Sequence, residues 1–184
     1  YDSTMSVISL KDFRQVQKIP VCLNPHRLRK DQYNQLWITS RGDYKDVQPQ
    51  LICFSPATNS QLSIANAPAA SEMVIVGDSM YYYGSHWNEQ TMSNTITYGV
   101  LNIKDSLPFR EGVGVGSSFI TDGTEKNIKI PYGIQVNPYN GDIYVTDAKN
   151  YVSSGQLHCY SREGKRKWSV RTGDIPAHMC FVYR

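Results

Sequence analysis

Several absences bound the answer before any motif is found. No apolar run approaches the ~18 residues that a membrane-spanning helix needs, so no such segment is expected. No signal-peptide pattern opens the chain. Its first residues, YDSTMSVISL, read as the middle of a structural unit, so any targeting segment is expected to lie outside them. The four cysteines, Cys22, Cys53, Cys159 and Cys180, include no CxxC pair. A zinc site is therefore not expected, and no disulfide framework is demanded.

Charge of one sign is also scarce. The net charge is +3, and Lys and Arg are scattered apart from Arg27–Lys30 and Arg162–Arg171. Nucleic-acid binding, which needs a basic face, has little support. Catalytic signatures are missing as well. There is no GxSxG elbow, no Asp-box, and no pair of carboxylates fixed at glycosidase separation. Gly112–Gly116 alternates glycine and valine but lacks the Lys-Ser/Thr of a phosphate loop, and reads as a flexible insertion. No catalytic residue, metal ligand or cofactor is expected.

What the chain does have is a pattern that repeats. Ile130–Val170 contains apolar runs separated by turn residues: a run up to Asn140-Gly141, then Ile143-Tyr144-Val145-Thr146, Gln156–Ser161 and Lys167–Val170. Four short strands joined in this way make one antiparallel sheet the size of a propeller blade. Asn140-Gly141 suits a tight primed hairpin turn, and Gly164 the next one. The 13 tyrosines fit half-buried sheet surfaces.

The same series occurs upstream. Pro25-His26-Arg27-Leu28, Leu36-Trp37-Ile38-Thr39, Tyr44 and Gln50–Ser55 correspond to Pro131-Tyr132-Gly133-Ile134, Ile143–Thr146, Tyr151 and Gln156–Ser161, each 106 or 107 residues later. A weaker middle copy runs from Pro68 through Met80-Tyr81 to Thr97–Ile103, and a fourth anchor follows at Pro176. Successive anchors stand 43, 63 and 45 residues apart, close to propeller spacing. The long middle unit carries an insertion divided between Ser85–Asn94 and Pro108–Lys126.

The predicted fold is all-β: one β-propeller region of about three complete four-stranded blades with partial blades at both ends. The partial blade is 1–19, the blades are 20–66, 67–129 and 130–173, and a last strand spans 174–184. An open arc exposes inter-blade faces, which invites association. A fragment of a larger propeller, a closed four-bladed ring, and an arc completed by a second copy all satisfy the pattern. The fragment, with self-association, fits it best.

Asn140-Gly141-Asp142 followed by Ile143-Tyr144-Val145-Thr146-Asp147 resembles the YVTN-type repeat of bacterial β-propellers. With Gly173-Asp174-Ile175-Pro176-Ala177-His178, the last 55 or so residues are similar to the C-terminal part of a YVTN/YncE-like family of cell-surface propellers. The resemblance implies a seven- or eight-bladed ring, exported, often a lipoprotein, and found beside carbohydrate-uptake machinery. It supplies no catalytic residues.

Candidate site residues fall in two groups. His26 and His178 follow equivalent anchor prolines and are expected to line the central channel. The loops joining second to third strands form one rim. They carry Arg41, Asp43, Tyr44 and Lys45 in one unit, and Asp147, Lys149, Asn150 and Tyr151 in another. The inserted middle unit adds Tyr82, Tyr83, His86, Trp87 and Asn88. Rings beside charged and amide groups suit a glycan or a protein partner. Tyr44 and Tyr151 repeat at equal spacing, which favours a packing role, whereas His86 and Trp87 break the repeat in an expected loop. Cys53 and Cys159 occupy equivalent positions a blade apart, too far for a disulfide. The expected function is a noncatalytic extracytoplasmic module binding a glycan or protein partner. The alternatives are a polysaccharide lyase or hydrolase completed by missing blades, and a structural scaffold.

Overall fold

A computed structural model of the chain describes residues 2–43, 46–47, 49–66, 70–88, 90–104 and 116–182. The described residues form four antiparallel sheets in sequence order. The first is a two-stranded ribbon, β1 (Thr4–Ile8) with β2 (Gln15–Pro20). A four-stranded blade follows: β3 (Pro25–Lys30), β4 (Leu36–Ser40), β5 (Gln50–Ser55) and β6 (Ser60–Asn66). The middle blade is β7 (Ala70–Val76), β8 (Ser79–Asn88) and β9 (Ser93–Asn102), and among the described residues a bridge from Val100 to Ser117 lies at its fourth place. The last blade is β10 (Pro131–Val136), β11 (Ile143–Asp147), β12 (Gln156–Tyr160) and β13 (Arg166–Arg171). The only described helix is one 3-10 turn, Thr124–Asn127, and no described helix is long and apolar enough to cross a membrane.

Alternation along the strands builds the stack, because successive side chains point to opposite faces. Ile38, Ile52 and Phe54 face backwards onto Met5, Val7 and Ile19 of the ribbon. Their neighbours Trp37, Leu51 and Cys53 face forwards onto Met73, Met80, Tyr82, Leu101 and Ile103. The next seam joins Tyr83, Tyr98, Phe119 and Ile128 to Ile134, Val136, Ile143, Val145 and Tyr160. Each fully buried large side chain contributes about 1.5–3 kcal/mol, so these seams are the fold's main cohesion. The inner strands β3, β7 and β10 lie side by side.

Three local expectations change. Asn140-Gly141 does not close a two-residue turn. The ladder ends at Val136–Ile143, and Asn137 holds a longer connection by accepting from Gly141 N (2.9 Å) and, through Oδ1, from Tyr139 N (2.9 Å). Gly141 supplies the required positive φ of 75°. His86 and Trp87 lie on strand β8 and not in a loop: His86 pairs with Thr95 and Trp87 with Asn94, so the Ser85–Asn94 insertion lengthens a hairpin. The last strand predicted within 174–184 does not form among residues 174–182, which have no ladder partner. They lie against the last blade instead. The Ala177 carbonyl sits where a Cβ on Gly133 would be, Pro176 abuts Gly155, and the Phe181 ring meets Tyr144 edge-on at 5.4 Å.

Candidate ligand-binding site

Each inner strand carries one bulge at the same station. The register slips between Pro25 and Arg27, between Ala70 and Glu72, and between Pro131 and Gly133, which leaves His26, Ser71 and Tyr132 as the extra residues. A bulge bends its strand and re-aims the extra side chain away from the ladder. The repeat of the bulge sets three side chains at one rim of the arc, where the loops after β4 and β11 also arrive.

At the first blade, Arg41 Nη2 meets His26 Nε2 at 2.8 Å. A guanidinium can only donate, so Nε2 accepts and the ring proton is on Nδ1. Burial, then the charges of Arg41 and Arg27, push the His26 imidazole down to about 4. His26 is therefore neutral at physiological pH. Beside it, Glu72 bridges the first and middle blades. Its Oε2 accepts from Arg27 Nε at 2.6 Å and its Oε1 from Arg29 Nη2 at 2.9 Å, with only 5% of its side chain exposed.

At the last blade, Asp147 is fully buried and ties the rim loop. It accepts from Lys129 N (3.0 Å), Ile130 N (2.9 Å) and Lys149 N (2.9 Å), and pairs with Lys149 Nζ at 2.9 Å. Burial alone would raise its carboxyl pKa. The donors outweigh that and hold it below the ordinary value. Lys149 Nζ also donates to Gln156 Oε1 at 2.9 Å, so Lys149 is engaged in holding the loop. Lys149 and Tyr151 both adopt left-handed backbone, φ 55° and 63°. The Tyr151 ring, about half exposed, meets the exposed Tyr132 ring edge-on with centroids 5.8 Å apart.

Tyr83 joins the two ends. It pairs with Glu72 across β7 and β8, and its ring is buried in the seam beneath the rim. Burial, then the Glu72 carboxylate, raises its hydroxyl pKa, and the Arg27 guanidinium opposes that rise. The structure thus brings Arg41 to His26, and pairs Tyr83 with Glu72. Lys149 belongs to the loop-holding network. His178 is exposed on the C-terminal segment. Tyr44 lies outside the described residues, as do the side chains of His86 and Trp87. Tyr132, Arg27 and Glu72 escaped the sequence reading. For Tyr132 the available signal was its place directly after Pro131, as His26 follows Pro25, and in both blades that residue is the bulged one. No three metal-ligating side chains gather among the described residues.

Comparison with known proteins adds fold information alone. No protein-family model matches the chain. No curated protein matches it either. A solved structure described as a quinonprotein alcohol dehydrogenase-like protein from Bacteroides thetaiotaomicron superposes with a TM-score of 0.52 at 15% identity, over 96% of this chain and 53% of that one. The chain therefore spans about half the length of that structure. With four stacked antiparallel sheets and this likeness, the chain is a partial β-propeller.

Proposed function

We propose that this chain is a noncatalytic, extracytoplasmic propeller module of the YVTN/YncE-like kind that holds a glycan at the rim carrying His26, Arg41, Tyr132 and Tyr151. The observation that carries this reading is the exposed Tyr132–Tyr151 ring pair, set by a bulge and a left-handed loop residue. Aromatic faces offer apolar surface to the C–H side of a sugar, while neighbouring charged groups orient its hydroxyls. A glycan-array screen followed by titration calorimetry tests it. Tyr151→Ala should weaken any hit about tenfold, the loss expected of one aromatic contact of about 1.4 kcal/mol. Unchanged affinity in both Tyr132→Ala and Tyr151→Ala removes the rim from the site. Product analysis of the same mixtures separates binding from a lyase or hydrolase, since turnover would overturn the noncatalytic reading. Recovery of the protein only from the cytosol of its cell would overturn the extracytoplasmic one.

A second reading, association with a protein partner or another copy, is favoured by a separate observation. On the outer edge of the last blade's forward face, Trp168 and Val170 are 44% and 50% exposed. Light scattering at increasing concentration tests self-association, and a constant monomer mass excludes it.

A further inference from the structure

The rim's charge pattern narrows the ligand further, on the assumption that the rim is the binding site. Arg27 and Arg29 are both committed to Glu72, and Lys149 to Asp147. Arg41 differs. It is exposed, no carboxylate among the described residues lies within ion-pair distance of it, and its partner is an imidazole nitrogen. A carboxylate partner would fix the guanidinium and cancel its charge. A neutral acceptor fixes one corner and leaves the charge in place, together with the remaining donors of the planar fork.

We propose that Arg41, held by His26, is a seat for the carboxylate of one residue of an acidic oligosaccharide that runs along the rim, another residue of which rests on the Tyr132–Tyr151 pair of the last blade. A guanidinium takes a carboxylate through two parallel N–H donors, about twice as strong as neutral hydrogen bonds. The local balance favours an anion, because Arg27, Arg29 and Arg41 face one buried Glu72 and a neutral His26. Neutrality of the imidazole is itself built in: burial and two flanking guanidiniums oppose its protonation down to a pH of about 4. The seat should therefore work unchanged between about pH 5 and 8, a range in which a free histidine would titrate.

Titration calorimetry with an oligogalacturonate and a neutral galacto-oligosaccharide of equal length, at pH 7 and low salt, tests the proposal. The acidic ligand should bind at least about tenfold more tightly, the equivalent of ~1.4 kcal/mol. Arg41→Ala should remove that advantage, so that the variant binds the acidic and the neutral sugar alike. Arg41→Lys should recover part of the advantage, because a point charge replaces a fork. Raised salt should shrink it. Arg41 is exposed, so these variants are expected to fold, and circular dichroism checks that they do. If both sugars bind equally and both are lost in Tyr151→Ala, the rim reading stands and the anion seat is overturned. An Arg41→Ala protein that keeps the full acidic preference overturns it equally. If neither sugar binds, the rim reading falls and takes the seat with it.

Discussion

Trp37 and Tyr144 occupy the same station in two copies of one blade, and their surroundings could hardly differ more. Trp37 pairs with Cys53 across β4 and β5, as Tyr144 pairs with Cys159 across β11 and β12. Trp37, Leu51 and Cys53 have no exposed surface, because the middle blade lays Met73, Met80, Tyr82, Leu101 and Ile103 over them. In the corresponding row of the last blade, Cys159 is buried as Cys53 is, whereas Tyr144 is only half-buried and meets Phe181 of the segment 174–182. That segment covers the inner half and leaves Trp168 and Val170 uncovered. Strand pattern sets which side chains point forwards. Burial is conferred by whatever stands in front of them.

The largest consequence is a difference in stability between matched substitutions. Trp37→Ala removes a fully buried ring and its Nε1 hydrogen bond to Asp31 Oδ2 (2.9 Å). It should cost about 3–5 kcal/mol. Tyr144→Ala loses edge-on contacts with Trp168 (6.0 Å) and Phe181 (5.4 Å) on a half-buried face, and should cost about 1 kcal/mol. Urea unfolding of the two variants checks this. Equal losses would mean that the last blade's forward face is covered in solution as fully as the first blade's.

The same pairing shows what could be read without coordinates. The blade repeat was legible because propeller strands obey a period of two and a unit of fixed length, so Trp37, Cys53, Tyr144 and Cys159 align by spacing alone. The rim was only half legible. His26 and Tyr151 stood out by residue type, whereas Tyr132 looked like an ordinary strand residue until the ladder showed a bulge. Nothing in residue order reveals that Glu72 answers Arg27 and Arg29 from another blade, because that meeting depends on inter-blade stacking. His86 and Trp87 misled for a related reason. An insertion between two strands reads as a loop, but here it extended both strands and kept their pairing.

Ser40 and Asp147 sharpen the comparison at the rim, where one station holds two chemistries. Both are fully buried at the end of a second strand. Ser40 Oγ donates to Leu23 O (2.6 Å) and accepts from Gly42 N (3.2 Å), whereas Asp147 gathers three backbone N–H groups and a lysine. Asp147→Ala strands those donors and should cost about 3 kcal/mol, against about 1 kcal/mol for Ser40→Ala. Only the carboxylate brings pH dependence. Its folded pKa lies below the unfolded one, so its contribution is complete above about pH 4 and disappears as pH falls through the folded value. Melting temperatures from pH 6 to pH 3 should fall less steeply in Asp147→Asn than in the parent. Parallel curves would show that the carboxylate's charge is not what ties the loop.

The smallest stability effect is expected at Trp168, and its value lies elsewhere. At 44% exposure the ring has little to lose on truncation, so Trp168→Ser should shift stability by under about 1 kcal/mol. If the last blade's forward face meets another chain, however, an exposed aromatic beside Val170 is the residue type that dominates such contacts. Association seen by light scattering in the parent should then weaken by tenfold or more, about 1.4 kcal/mol or above, in a variant whose unfolding curve is nearly unchanged. Association that survives Trp168→Ser intact would place the contact on another surface, with the outward side of the β1–β2 ribbon next to be tested. That ribbon exposes Ile8 and Val16, and its other side already packs against the first blade, so the two ends of the arc can be told apart one substitution at a time.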